Sequence, residues 1–129
     1  MKKVHHGLAE SLGGNFSKVR MARVLRTGLY VAYALPRLQG LYDAVNIKLD
    51  KCGGFTEALA LANEARRLRF EIMVGNMCGT SLAMASAFLV AQGARWADLD
   101  GPLLQSGDRD HAMKYEGGTV SPPSAELWG

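Results

Sequence analysis

The 129-residue sequence is short of most features that would assign it at a glance. Its two cysteines, Cys52 and Cys78, lie far apart and outside any CxxC spacing. That suggests neither a zinc site nor a disulfide framework, and leads us to expect free thiols in a reducing, cytoplasmic compartment. No run of about 18 apolar residues is present, so no membrane span is expected. Behind Lys2 and Lys3 there is no apolar stretch, so a secretory leader is not expected either. The basic residues lack aromatic interleaving and any groove-reading motif, and nucleic acid is not an expected partner. The chain is also too short for a complete eight-fold α/β barrel, which needs roughly 250 residues.

What is present supports one modest domain. Hydrophobic residues make up 48% of the sequence, enough for a packed core. The formal net charge of +3 hides an asymmetry. Residues 1–37 carry seven Lys/Arg against a single acid, Glu10, whereas the remainder carries eight basic and eleven acidic residues. The basic character therefore belongs to the N-terminal segment. Residues 1–15, with His5, His6 and the Gly13-Gly14-Asn15 cluster, show no period and read as an irregular terminus. From Phe16, apolar residues recur at three- and four-residue steps (Val19, Ala22, Leu25, Leu29, Ala32), which predicts a basic amphipathic helix ending at Pro36. Its expected role is to cover an edge of the domain.

The stretch VNIKLDKCGG, residues 45–54, reads as a short strand entering a glycine turn. Strand alternation places Val45, Ile47 and Leu49 on one face and Asn46, Lys48 and Asp50 on the other. The two glycines predict a tight strand–helix turn; without a full phosphate-loop pattern they do not define an anion site. A helix follows over 55–69, then a strand over 71–74, a loop through Asn76 and Cys78, and a helix from Thr80 or Ser81 to Gln92 that starts at a hydroxyl cap. A third strand covers 96–99. Strand–helix–strand–helix–strand with short connections predicts parallel pairing. Beyond Asp108 the tail contains a small hairpin over 115–120, an extended Ser121-Pro122-Pro123, and Trp128, expected to dock on the domain.

In parallel α/β units, ligand-binding groups gather at the carboxyl ends of strands. Lys48, the Asn76–Cys78 loop, and Asp98 with Asp100 all fall there, while Ala97 and Leu99 point the other way. A lysine and two carboxylates thus converge. On alternation alone, a buried Lys–Asp ion pair is expected ahead of a binding site.

The ordered set VNIKLDKCGG, MVGNMCGTS, ADLDGPLL and YEGGTVSPPSAELWG resembles the C-terminal part of enolase-superfamily enzymes of the mandelate racemase/muconate-lactonizing type, and among these the dipeptide epimerases. The resemblance covers residues 38–129. It implies a partial (β/α) barrel of about three parallel strands, the sixth to eighth, over 38–107. Residues 108–129 would be a short tail returning to the capping domain, and residues 1–37 a partly helical segment without a counterpart. It also implies that Lys48 is an acid/base lysine and that Asp98 and Asp100 hold a substrate α-ammonium. Asn76 and Cys78 would line the substrate pocket, with Lys51 the lesser candidate base.

The family reaction, so implied, is Mg²⁺-dependent 1,1-proton transfer α to a carboxylate. The family's second lysine and its three acidic metal ligands have no counterpart here, so no cofactor is assigned to this chain. Three functions follow as expectations: a truncated epimerase inactive by itself, a non-catalytic module for an amino-acid or peptide ammonium group, or half of a split enzyme completed by a partner chain. Self-association is a further expectation.

Overall fold

The structure, a computed structural model, describes residues 2–3, 21–23 and 34–129. Its centre is a parallel sheet of β2 (Met21–Arg23), β3 (Ala44–Lys48), β4 (Glu71–Gly75) and β5 (Trp96–Ala97), in that spatial order. β3 and β4 pair along their whole length, from Ala44 against Glu71 to Lys48 against Gly75. Parallel neighbours need a crossover, supplied by α2 (Phe55–Arg67) and α3 (Ser81–Ala91). This is the parallel α/β pairing predicted from the order of elements and the partial barrel that the family resemblance implies.

Alternation sorts the strands as expected. Val45 and Ile47 of β3 and Ile72 and Val74 of β4 are buried in one cluster with Ala58, Leu61, Ala62 and Ala65 of α2. α3 packs on β4, β5 and α2 at once, which is why Met84, Ala85, Ala87, Phe88 and Ala91 are all buried and the helix is apolar nearly all round. On the opposite face Ala44, Met73 and Trp96 form a smaller cluster with Met21 packed against it.

Several predicted boundaries move, among them the third strand, which ends at Ala97 rather than at residue 99. β3 stops at Lys48, and Leu49–Cys52 forms a one-turn helix, α1, so Leu49 and Asp50 leave the strand alternation. Gly53 and Gly54 both adopt positive φ, and the Gly54 amide donates to the Leu49 carbonyl at 2.9 Å, so the pair makes a tight turn, as predicted. α2 ends two residues early because Arg69 takes φ 63°. There the Phe70 and Arg69 amides turn back to the carbonyls of Ala65 and Arg66.

The N-terminal expectation needs correction where it can be compared. The helix predicted from Phe16 lies largely outside the described residues, as do His5 and His6, but Met21–Arg23 is a strand, paired with Ala44–Asn46. Three residues are too few for a helical period to discriminate, and here β2 satisfies backbone groups on the edge of β3. Lys2–Lys3, expected to be irregular, forms β1 and pairs antiparallel with Thr119–Val120.

The tail is a hairpin, β6 (Tyr115–Glu116) and β7 (Thr119–Val120), followed by α4 (Ala125–Trp128). Trp128 is 42% exposed; Leu127 makes the contact with the core that was expected of the indole. The main tie between tail and barrel is Asp108. Its Oδ1 accepts the Ser81 amide at 2.8 Å, and its Oδ2 accepts the Ser81 hydroxyl. Ser81 Oγ in turn accepts the Met113 amide at 3.0 Å. α3 is therefore capped by a carboxylate from the tail. Thr80, at the cap position, makes no side-chain cap bond, contrary to expectation.

Burial opposes ionisation of Asp108, but the hydrogen bonds from the Ser81 hydroxyl and amide and from the Arg109 amide outweigh it and hold its carboxyl below the usual range. A depressed carboxylate contributes stability above its unfolded pKa, about 4, and loses it as pH falls through the folded value. Asp108→Ala is expected to lower unfolding free energy by about 1–2 kcal/mol at neutral pH, as for loss of a helix cap. Urea titrations of both proteins should show that gap closing as the pH is taken well below 4.

Candidate functional site

The site is built at the carboxyl ends of the three central strands. Lys48 is the last residue of β3 and is half-buried. Its Nζ donates to the main-chain carbonyl of Asn76, just beyond β4, at 2.5 Å. The bond runs to that carbonyl rather than to either carboxylate, so the simple Lys–Asp ion pair is not the arrangement found. Opposite Lys48 in register stands Gly75. A Cβ there would meet Lys48 Cε at 3.2 Å and Asn46 Oδ1 at 2.8 Å, so both side chains use space that only glycine leaves open.

Asn76 is 9% exposed and joins the second strand end to the third. Its Nδ2 donates to the Asp98 carbonyl at 2.7 Å, and stands 3.4 Å from Asp98 Oδ1 and 3.5 Å from Asp100 Oδ1. The Asp98 amide continues the sheet ladder onto the Val74 carbonyl at 2.9 Å. Ala97 and Leu99 are buried in the outer core, which leaves Asp98 and Asp100 half-buried on the other side, as alternation predicts. Beneath them the Tyr115 hydroxyl donates to the Leu99 carbonyl at 2.9 Å. Burial pushes that phenol far above its usual pKa, and the charges of Asp108 and Asp100 add to the shift, so Tyr115 is a fixed neutral donor.

Lys48, Asn76, Asp98 and Asp100 are thus gathered at one end of the sheet. Cys78 is exposed on the same loop, two residues beyond Asn76. Lys51 sits exposed on α1, and Asp50 is carried off the inward face by the same helix. A cavity of about 250 Å³ lies behind the strand ends, lined by Gly75, Asn76, Phe55 and Met84. Of the cluster it shares Asn76 but not Lys48, Asp98 or Asp100, and Asp50 of α1 also lines it. Cys52 is buried, and desolvation raises its thiol pKa, which makes it a packing residue.

Asn46 was not singled out by motif, although alternation had put it on the inward face with Lys48. Its Oδ1 is buried without a hydrogen-bond partner. Among the described residues no group of three His, Cys, Asp or Glu side chains is placed to hold a metal ion, and no helix is long and apolar enough to cross a membrane.

Comparison with known proteins bears on the family and the fold. An N-acetyl-D-glutamate racemase from Pseudoalteromonas is 56% identical over 95 residues, 74% of this chain and 30% of that protein. The crystal structure of an Agrobacterium tumefaciens enolase family member with homology to dipeptide epimerases, with bound sodium and L-Ala-L-Glu, superposes with a TM-score of 0.70. It is 62% identical, over 72% of this chain and 28% of that one. The resemblance is to the enolase superfamily, and within it to dipeptide epimerases and racemases. A dipeptide epimerase from Methylococcus capsulatus, complexed with Mg and L-Arg-D-Lys, gives a TM-score of 0.68 at 29% identity, over 79% of this chain and 30% of that one. No family model matches the sequence. The chain spans less than a third of the length of the curated relatives it matches.

The Gly75 contact is directly testable. Gly75→Ala is expected to push Lys48 and Asn46 away from β4, at a cost of about 1–3 kcal/mol in stability, as for other overpacked positions. Mass-spectrometric acylation of the folded variant should show Lys48 reacting severalfold faster, with Lys51 as the exposed internal standard.

Proposed function

We propose that this chain is the sixth-to-eighth-strand section of an enzyme that transfers a proton at the α-carbon of an N-acylated amino acid, with dipeptides as the preferred substrate class. The observation that supports it is the bracketing of Lys48, Asp98 and Asp100 around one buried asparagine at the strand ends. In this reading Lys48 takes the α-proton on one face of the substrate or returns one to it. A lysine does this when burial or a nearby cation favours its neutral form. Asp98 and Asp100 are the acceptors for the N-terminal ammonium that a dipeptide has and an N-acetyl amino acid lacks. Two aspartates at that position favour dipeptides over the N-acetyl amino acid handled by the 56%-identical relative.

Magnesium belongs to the reaction as the resemblance implies it, but the donor set here does not fit such an ion. A divalent magnesium site takes carboxylates in near-octahedral geometry. The two carboxylates of this site flank the Asn76 amide, and no third candidate among the described residues stands with them. A proton transfer lacking electrophilic stabilisation of the enolate and an opposing base is slowed more than about a thousandfold. We therefore expect the purified chain to bind dipeptides without turning them over.

Calorimetry with L-Ala-L-Glu is expected to show weak binding, on the order of millimolar, with no dependence on Mg²⁺. Asp98→Asn and Asp100→Asn should each weaken it roughly tenfold, as for removal of a charged hydrogen-bond partner. N-acetyl-L-glutamate binding as tightly as the dipeptide would remove the ammonium assignment. Loss of the α-proton NMR signal of L-Ala-L-Glu in D₂O would show turnover and overturn the expected inactivity.

A second reading, completion by a partner or a second copy, is favoured by one feature. β5 is a two-residue strand at one end of the strand order, with the apolar Met73–Trp96 layer on the sheet's inner face. Edge strands are sites of association. Sedimentation velocity at micromolar concentration is expected to show species larger than 13.9 kDa, and a single monomer peak would remove this reading.

A further inference from the structure

Asn76 is the residue through which the three charged side chains communicate, and it does so with two different groups. Its main-chain carbonyl receives the Lys48 ammonium, a charge-assisted contact at the short end of the hydrogen-bond range. Its side-chain amide is hooked onto the far side of the cleft, at the Asp98 carbonyl. A carbonyl on a loop beyond a strand end has no ladder partner to fix its direction. Here the hook supplies that direction, because anchoring the side chain of a residue restricts its own backbone rotation.

The surroundings are shaped to let this happen. Gly75 before it leaves room for Lys48 to lie across β4. On the other side a Cβ at Gly101 would come within 2.7 Å of Asn76 Oδ1 and 3.1 Å of the Met77 carbonyl. The side chain therefore abuts the Gly101 position, with one amide hydrogen committed to the Asp98 carbonyl just beyond β5. At 9% exposure the residue is held in the wall of the site.

We propose that Asn76 is a positioning residue rather than a substrate contact: by gripping the end of β5 it aims its own carbonyl at Lys48 and so fixes the lysine beside the aspartate pair. The proposal rests on the reading of Lys48 as the reactive lysine, since only then does its placement matter to function. It also implies that a change at Asp98 or Asp100 is felt at Lys48 without any contact between them, because the amide stands within 3.5 Å of both carboxylates.

The test follows the Lys48 ammonium directly and needs no substrate. In protein labelled with ¹⁵N-lysine, at mildly acidic pH and low temperature, the ε-ammonium signal of Lys48 is identified by its disappearance in Lys48→Arg. Its hydrogen exchange is expected to be slower than that of exposed Lys51. Asn76→Ala, which removes the hook, should speed it roughly tenfold, the scale of one lost hydrogen bond. Asn76→Leu nearly keeps the volume and removes the amide without adding a charge, so it should match Asn76→Ala; a space-filling role predicts that it matches the wild type.

Exchange in Asn76→Leu within about twofold of wild type, with backbone amide signals of α2 and α3 unmoved, overturns the proposal. If both variants unfold, the wild-type protein still decides: a Lys48 ammonium exchanging as fast as Lys51 is not held, and the proposal fails. Because this measurement involves no dipeptide, it stands or falls apart from the binding experiment. Slow exchange with no dipeptide binding would remove the function and leave the positioning intact.

Discussion

Five residues of β3 lie in parallel register against five of β4, and that ladder decides where everything else can go. It sends Val45, Ile47, Ile72 and Val74 outward to the helices and Asn46, Lys48 and Met73 inward. It also ends with Lys48 beside Gly75, the place where two inward side chains must cross the neighbouring strand's backbone. A bulkier residue at that one position would move the lysine without touching the hydrophobic core. The charged cluster is therefore a consequence of strand pairing at its last rung, and the pairing is held by apolar burial on the other side of the sheet.

That burial is achieved with small residues. α2 and α3 present Ala58, Ala62, Ala65, Ala85, Ala87 and Ala91, all buried, and the helices come close to the sheet and to each other. Alanine has the highest helix propensity and loses no rotamer freedom on burial, so the same residues favour the helices and their close packing. Larger side chains, Leu61, Met84 and Phe88, fill the gaps between them.

Much of this is legible in the sequence because two periods are clean. Alternation in VNIK and in ADLD gives the inward and outward faces, and the Ala/Leu period over 55–67 gives α2. Alternation fails at Leu49 and Asp50 because the run LDKC winds into a helical turn whose end is set by Gly53, a backbone event that polarity does not report. Met21–Arg23 escapes because three residues are too few to display either period. The cap of α3 escapes for another reason. Thr80 and Ser81 have the right chemistry in the right place, yet the carboxylate that does the capping lies 27 residues further on. Asn76 was placed in the site from its position and family likeness. The direction of its amide is a tertiary fact with no local trace.

The distant cap has a consequence for how the chain acquires its structure. A helix that starts at Ser81 and takes its terminal hydrogen bonds from Asp108 leaves its first amide and the Ser81 hydroxyl to water until residue 108 arrives, and the bond from Met113 is later still. During synthesis, which proceeds from the N-terminus at about 5–20 residues per second, α3 emerges well before either partner. The strands and helices of the sheet can meet while this end of α3 is still frayed. Closing it is then a late, non-local event tied to the tail, and the segment that follows the last strand acts as the timer for the element that precedes it.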